Sequence, residues 1–75
     1  MIVVIIPVFN EEKKIKDVIN SVRGYCDELI VVNDGSTDQT KAILESFEGI
    51  TLVNHETNHG IGGATKTGIK KAFEM

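Results

Sequence analysis

The sequence predicts an α/β fold in which three parallel strands alternate with three helices, β-α-β-α-β-α. Two features carry that prediction. Three runs of aliphatic, largely β-branched residues, at 2–6, 29–32 and 50–53, are too short for helices, and each is followed by a turn-rich segment that opens into apolar residues at helical spacing. No repeat, linker or low-complexity stretch interrupts the order.

The 75 residues make one domain or part of one, and a chain of that size buries only ~60% of its unfolded surface, so stability should be marginal. With 41% hydrophobic and 25% charged residues, the composition is that of an ordinary globular protein rather than a disordered or membrane-spanning one. The net charge is -3, and the lysines are scattered among carboxylates, so no nucleic-acid footprint is present. Cys26 has no partner for an internal disulfide and reads as a small buried or half-buried residue, which fits a reducing, cytoplasmic setting.

Strand 1, residues 2–6, is an uninterrupted apolar run ended by Pro7, the pattern of a strand covered on both faces. It lacks a preceding basic region and is far shorter than a signal-peptide core, so no secretion or transmembrane segment is expected. Asn10 then offers an N-cap, with Glu11 and Glu12 in the first turn of a helix whose inner face carries Ile15, Val18, Ile19 and Val22 and which ends at Gly24. Strand 2, residues 29–32, leads into Asn33-Asp34-Gly35-Ser36-Thr37-Asp38. Ser36 and Gln39 have capping-box spacing for a second helix, which turns Ala42, Ile43, Leu44 and Phe47 inward and breaks at Gly49. Strand 3, residues 50–53, is followed by a loop from His55 to Gly60 and a third helix marked by Ile61, Ala64, Gly68, Ala72 and Phe73.

Right-handed crossovers place the strands in the order 3-2-1, with the first two helices on one face and the third on the other. In a complete doubly wound sheet a fourth strand would lie beside strand 1, and the ligand crevice would open between them at their carboxyl ends. Strand 1 is therefore an exposed edge, which points to a truncated domain or to a homodimer paired through that edge.

Three segments can carry chemistry. In the first, at the end of strand 1, Glu11 can accept hydrogen bonds from a base or ribose, although on local physics alone a capped helix start is the better account. In the second, Asp34 is placed to accept from a nucleobase N–H or a ribose hydroxyl, and Gly35 gives a ligand close access to the backbone. A plain turn explains Asp34 equally well, and a helix-start charge explains Asp38 better. In the third, Gly60, Gly62 and Gly63 open a helix and can present N–H groups to a phosphate, or equally allow close helix packing through Gly63, Ala64 and Gly68. The match to a dinucleotide fingerprint is weak, because position 65 is threonine. His55 and His59 read as solvated side chains rather than metal ligands.

Together, Pro7-Val8-Phe9-Asn10-Glu11, Asp34-Gly35-Ser36-Thr37-Asp38 and the stretch from Asn58 to Gly68 resemble the P-x-x-N-E, D-G-S-x-D and N-x-G-x-G-x-A-x-x-x-G motifs of family 2 glycosyltransferases. The doubly glycine third motif is most similar to the dolichyl-phosphate mannosyl- and glucosyltransferase branch. The resemblance covers the whole chain and implies the Rossmann-like half of a GT-A fold. It also implies that Pro7, Phe9 and Glu11 shape a nucleoside pocket and that Asp34 contacts the base. Position 9 is usually tyrosine in such motifs, and Phe9 keeps the aromatic ring without the hydroxyl. Further implications are a UDP- or GDP-sugar donor, an acceptor such as a polyprenyl phosphate, and hence a place at the cytoplasmic face of a membrane. The family's Mg²⁺ or Mn²⁺ is held by a D-x-D motif after a fourth strand. No D-x-D occurs here, so residues 1–75 are expected to form the N-terminal nucleotide-binding half, with no catalytic or metal-binding residue of their own. The rival is a non-enzymatic nucleotide-binding or self-associating module. A phosphoacceptor receiver would need an aspartate after strand 3, where Asn54-His55-Glu56 stands, and a nucleotidyltransferase would need a basic glycine-rich loop where Pro7 to Glu12 stands.

Overall fold

The structure, a computed structural model, describes all 75 residues. Strands β1 (Val3–Val8), β2 (Glu28–Asp34) and β3 (Thr51–His55) alternate with helices α1 (Ile15–Val22), α2 (Thr40–Glu45) and α3 (Gly60–Glu74), and a 3-10 turn at Arg23–Tyr25 follows α1. Strand β2 is central and pairs in parallel with both neighbours, aligning Val3 with Glu28 through Val8 with Asn33 on one side, and Ile30 with Thr51 through Asp34 with His55 on the other. The order and sense are those the crossover rule predicts.

Alternation along β2 builds two cores. Leu29 and Val31 point to one face, where they join Val8, Ile15, Ile19 and Leu44 under α1 and α2, with Cys26 half-buried against them. Ile30 and Val32 point to the other face, against Ala64, Ile5, Val53 and Ala72 under α3. Gly68 lets α3 approach the sheet, since a Cβ there would run into Ile5 and touch Val32.

Several expected details differ. Both β1 and β2 are covered on both faces, β1 through Val4, Ile6 and Val8 on one side and Ile5 on the other, but β1 is an edge strand and is mostly half-buried, whereas Ile30, Val31 and Val32 of β2 are fully buried. Having one neighbour, β1 continues through Pro7 to Val8, because an edge strand can place a residue without an N–H on its open side. Helix α1 begins at Ile15, four residues late. Asn10 has φ of 50°, a left-handed conformation incompatible with the extended backbone of an N-cap, and the N–H groups of Lys14 and Ile15 fold back onto the Glu11 carbonyl as a preceding turn. Gly24 sits inside the 3-10 turn rather than terminating α1.

The Ser36–Gln39 box does not form, because both residues bond across to the β1–α1 loop instead. Helix α2 is short, so Phe47 lies beyond its end, half-buried, with the Arg23 guanidinium 5.6 Å from its ring centre, and Ala42 faces solvent. On α3 the inward stripe is Ala64, Gly68 and Ala72. Phe73, one residue past Ala72 and thus about 100° round the helix, is 88% exposed, and Ile61 in the first turn is 79% exposed.

Candidate functional site

The loops after β1 and β2 are stitched together before either helix begins. Asn10 donates its backbone N–H to Ser36 Oγ at 3.0 Å and accepts the Thr37 N–H on Oδ1 at 2.8 Å. Glu11 N–H donates to the hydroxyl of fully buried Thr40 at 2.9 Å, Glu12 N–H to Asp38 Oδ2 at 3.4 Å, and Gln39 N–H to Glu12 Oε2 at 3.2 Å. The left-handed backbone at Asn10, which asparagine tolerates better than most residues, belongs to this exchange. Asp38 accepts the Thr40 N–H at 2.9 Å as well as its hydroxyl. Burial pushes the Asp38 carboxyl up, but these bonds and the Glu12 N–H outweigh it and hold the group below its ordinary value.

Glu11 stands exposed between two surface clefts. One, of about 260 Å³, is wholly polar, with Asn10, Glu12, Lys14 and Asp38 on its walls; the other, of about 330 Å³, combines Glu11 and Lys14 with Ile6, Pro7, Val8 and Ile15. Pro7 and Glu11 thus share a cleft on the α1 side of β1, and Phe9 is 45% exposed.

Asp34 lies on the other face. Its parity along β2 matches Ile30 and Val32, so its carboxylate turns toward α3 and the loop after β3. There Oδ1 accepts the His55 ring at 2.8 Å and the His59 backbone N–H at 2.8 Å. The His55 bond is the largest influence on Asp34 and lowers its pKa; burial opposes it, and the backbone N–H of His59 adds to the lowering. Asp34 is therefore an ionised, nearly buried carboxylate. No cleft is lined by both Asp34 and Glu11.

The rest of the β3–α3 segment holds Asp34 in place. Asn58 donates to the Asp34 carbonyl at 3.3 Å and accepts the Gly60 N–H at 3.0 Å, while the side chains of Asn33 and Asn54 bond across the sheet at 3.0 Å. Gly35, at φ of 74°, is packed rather than open, because a Cβ there would lie 2.6 Å from backbone atoms of Thr57 and Asn58. A Cβ at Gly63 would meet His59, whereas Gly60, at φ of 82°, and Gly62 face open space. His55 is a correction to the sequence reading. Its side chain is only 12% exposed and spans Asp34 and Thr67, because register sets it directly beside Asp34. The Asp34–His55 and Asn33–Asn54 pairs become legible in the sequence only once the β2–β3 register is known.

A profile described as glycosyl transferase family 2 matches residues 3–74. The chain belongs to glycosyl transferase family 2. Among curated relatives, a UDP-N-acetylglucosamine–dolichyl-phosphate N-acetylglucosaminyltransferase of Methanococcus voltae is 39% identical over all of this chain and 37% of its own length. An uncharacterized protein of Methanocaldococcus jannaschii is 44% identical over 96% of this chain and 30% of its own length. A dolichyl-phosphate beta-glucosyltransferase of Trichomonas vaginalis is 29% identical over 85% of this chain and 24% of its own length. The chain spans about a third or less of these relatives, and no solved structure matches it. Family 2 enzymes generally use a divalent metal, but the residues here do not fit one: there is no D-x-D, and no three His, Cys, Asp or Glu side chains converge. No helix is long and apolar enough to cross a membrane.

Proposed function

We propose that this family 2 chain supplies the donor-nucleotide side of a glycosyltransferase that moves a sugar from a UDP- or GDP-sugar to an acceptor. The observation that carries the reading is Asp34: an ionised carboxylate at the carboxyl end of the central strand, with Oδ1 held by His55 and His59. The side-chain and backbone bonds from His55 and His59 fall on Oδ1, which leaves Oδ2 as the oxygen to receive a base N–H. Pro7 and Glu11 line a separate cleft at the end of β1, on the α1 side of the sheet, so a nucleotide that meets both them and Asp34 passes over the carboxyl ends of the strands. Relatives named for dolichyl phosphate favour a polyprenyl phosphate acceptor, and the one named for a UDP-sugar favours UDP among donors. In the reaction an acceptor oxygen attacks the anomeric carbon with inversion, the bond from that carbon to the diphosphate breaks, and the nucleoside diphosphate leaves. A phosphate acceptor is already anionic and needs no general base.

This chain's share is binding the nucleotide rather than transfer. Titrating the 75-residue chain with UDP and GDP, with and without Mg²⁺, should shift the amide NMR signals at Glu11 and Asp34 at weak affinity, and assays with a UDP- or GDP-sugar should show no turnover. Unmoved signals at both positions remove the nucleotide reading, and measurable transfer removes the division of labour.

A second reading, self-association, is favoured by the open edge of β1, with Val3 at its start 39% exposed and Met1 and Ile2 just before it 95% and 58% exposed.

A further inference from the structure

We propose that His55, backed by Thr67, is a positioning residue that presents Oδ2 of Asp34 to the nucleotide. This rests on the reading of Asp34 as the base contact. Oδ1 of Asp34 receives two hydrogens from separate sources, the His55 ring and the His59 backbone, each at 2.8 Å. Rotating the carboxylate breaks both bonds, so the group keeps one orientation and Oδ2 is the oxygen left over.

The ring that imposes this is itself fixed. His55 Nε2 lies 2.8 Å from Thr67 Oγ1, which lies 3.1 Å from the Gly63 carbonyl, and the His59 ring packs edge-on with centroids 4.4 Å apart. The proton inventory closes in either charge state of the imidazole. When it is neutral, Nδ1–H donates to Asp34 and Nε2 accepts the Thr67 hydroxyl hydrogen. When it is charged, Nε2–H donates to Thr67, whose hydrogen turns to the Gly63 carbonyl. Asp34 receives a hydrogen in both cases, and α3 is tied to the orientation of a side chain on β2.

A clamp that merely joins β3 to α3 would have the same contacts, so the test separates orientation from stability. UDP and GDP affinities are measured by NMR titration for the wild-type chain and for His55→Leu, His55→Asn and Thr67→Val, each melted in parallel to establish folding. His55→Asn keeps a donor near Nδ1 but cannot reach Thr67. The expected results are about a tenfold loss for His55→Leu, the scale of one hydrogen bond to a charged group, and about threefold for Thr67→Val. His55→Asn should regain most of the His55→Leu loss even though its melting temperature stays low. Folded His55→Leu or Thr67→Val binding as tightly as wild type overturns the positioning role and leaves the nucleotide reading standing. Affinity that merely follows melting temperature across the set reduces His55 to a clamp. A wild-type chain that binds neither nucleotide overturns the nucleotide reading and this inference with it.

Discussion

At Asp34 the sign of the pKa shift fixes a pH dependence. The folded carboxyl titrates below the unfolded one, so the stabilisation it brings is complete above the unfolded value of ~3.9 and is lost as pH falls through the folded value. Thermal melts should therefore fall steeply with acidification below about pH 4, and more gently in Asp34→Asn, which cannot ionise; Asp38, lowered in the same direction, leaves a residual slope. Identical slopes in the two proteins would mean that the His55 bond does not discriminate between the charge states of Asp34. Asp34 stood out in the sequence because it begins an Asp-Gly-Ser turn after an apolar run. His55 did not, because twenty-one residues separate it from Asp34 and only the strand register makes them neighbours.

Among the elements, α3 shows how glycines in one helix divide their labour. Gly68 is fully covered by the sheet, so Gly68→Ala must displace Ile5 or lift the helix, and a loss of about 1–3 kcal/mol is expected from overpacking. Gly62 faces open space inside the same helix, so Gly62→Ala should be neutral or stabilise by about 0.5–1 kcal/mol through helix propensity. Urea unfolding midpoints check both, and equal effects would contradict the packing of α3. The sequence marked both positions as glycines of one motif without telling them apart. The helix starts depart from the local pattern for a related reason. Asn10, Ser36 and Gln39 have capping chemistry, but they spend it across the gap between two loops rather than on their own helices. Local pattern cannot see a competitor 26 residues away.

For the molecule as a whole, β1 is an open edge with exposed apolar residues at its start. An unpaired strand with apolar neighbours predicts concentration-dependent self-association in sedimentation, insensitive to UDP and weakened by Ile2→Lys, which sets a charge on that edge. A monomer at every concentration removes the homodimer, whereas dissociation on adding UDP ties the edge to ligand binding. By itself the sequence determined the alternation of strands and helices, the parallel order and the family, since each rests on periodicity within a run, on chain handedness, or on residues at the ends of strands. Tertiary structure alone decided that β2 is buried more deeply than β1, that Asp34 and Glu11 lie on opposite sides of the sheet, and that His55 and Thr67 stand behind the carboxylate. The reason is the period of two along a strand: which face a side chain takes, and what it meets there, depends on neighbouring strands and helices that no short stretch of sequence contains.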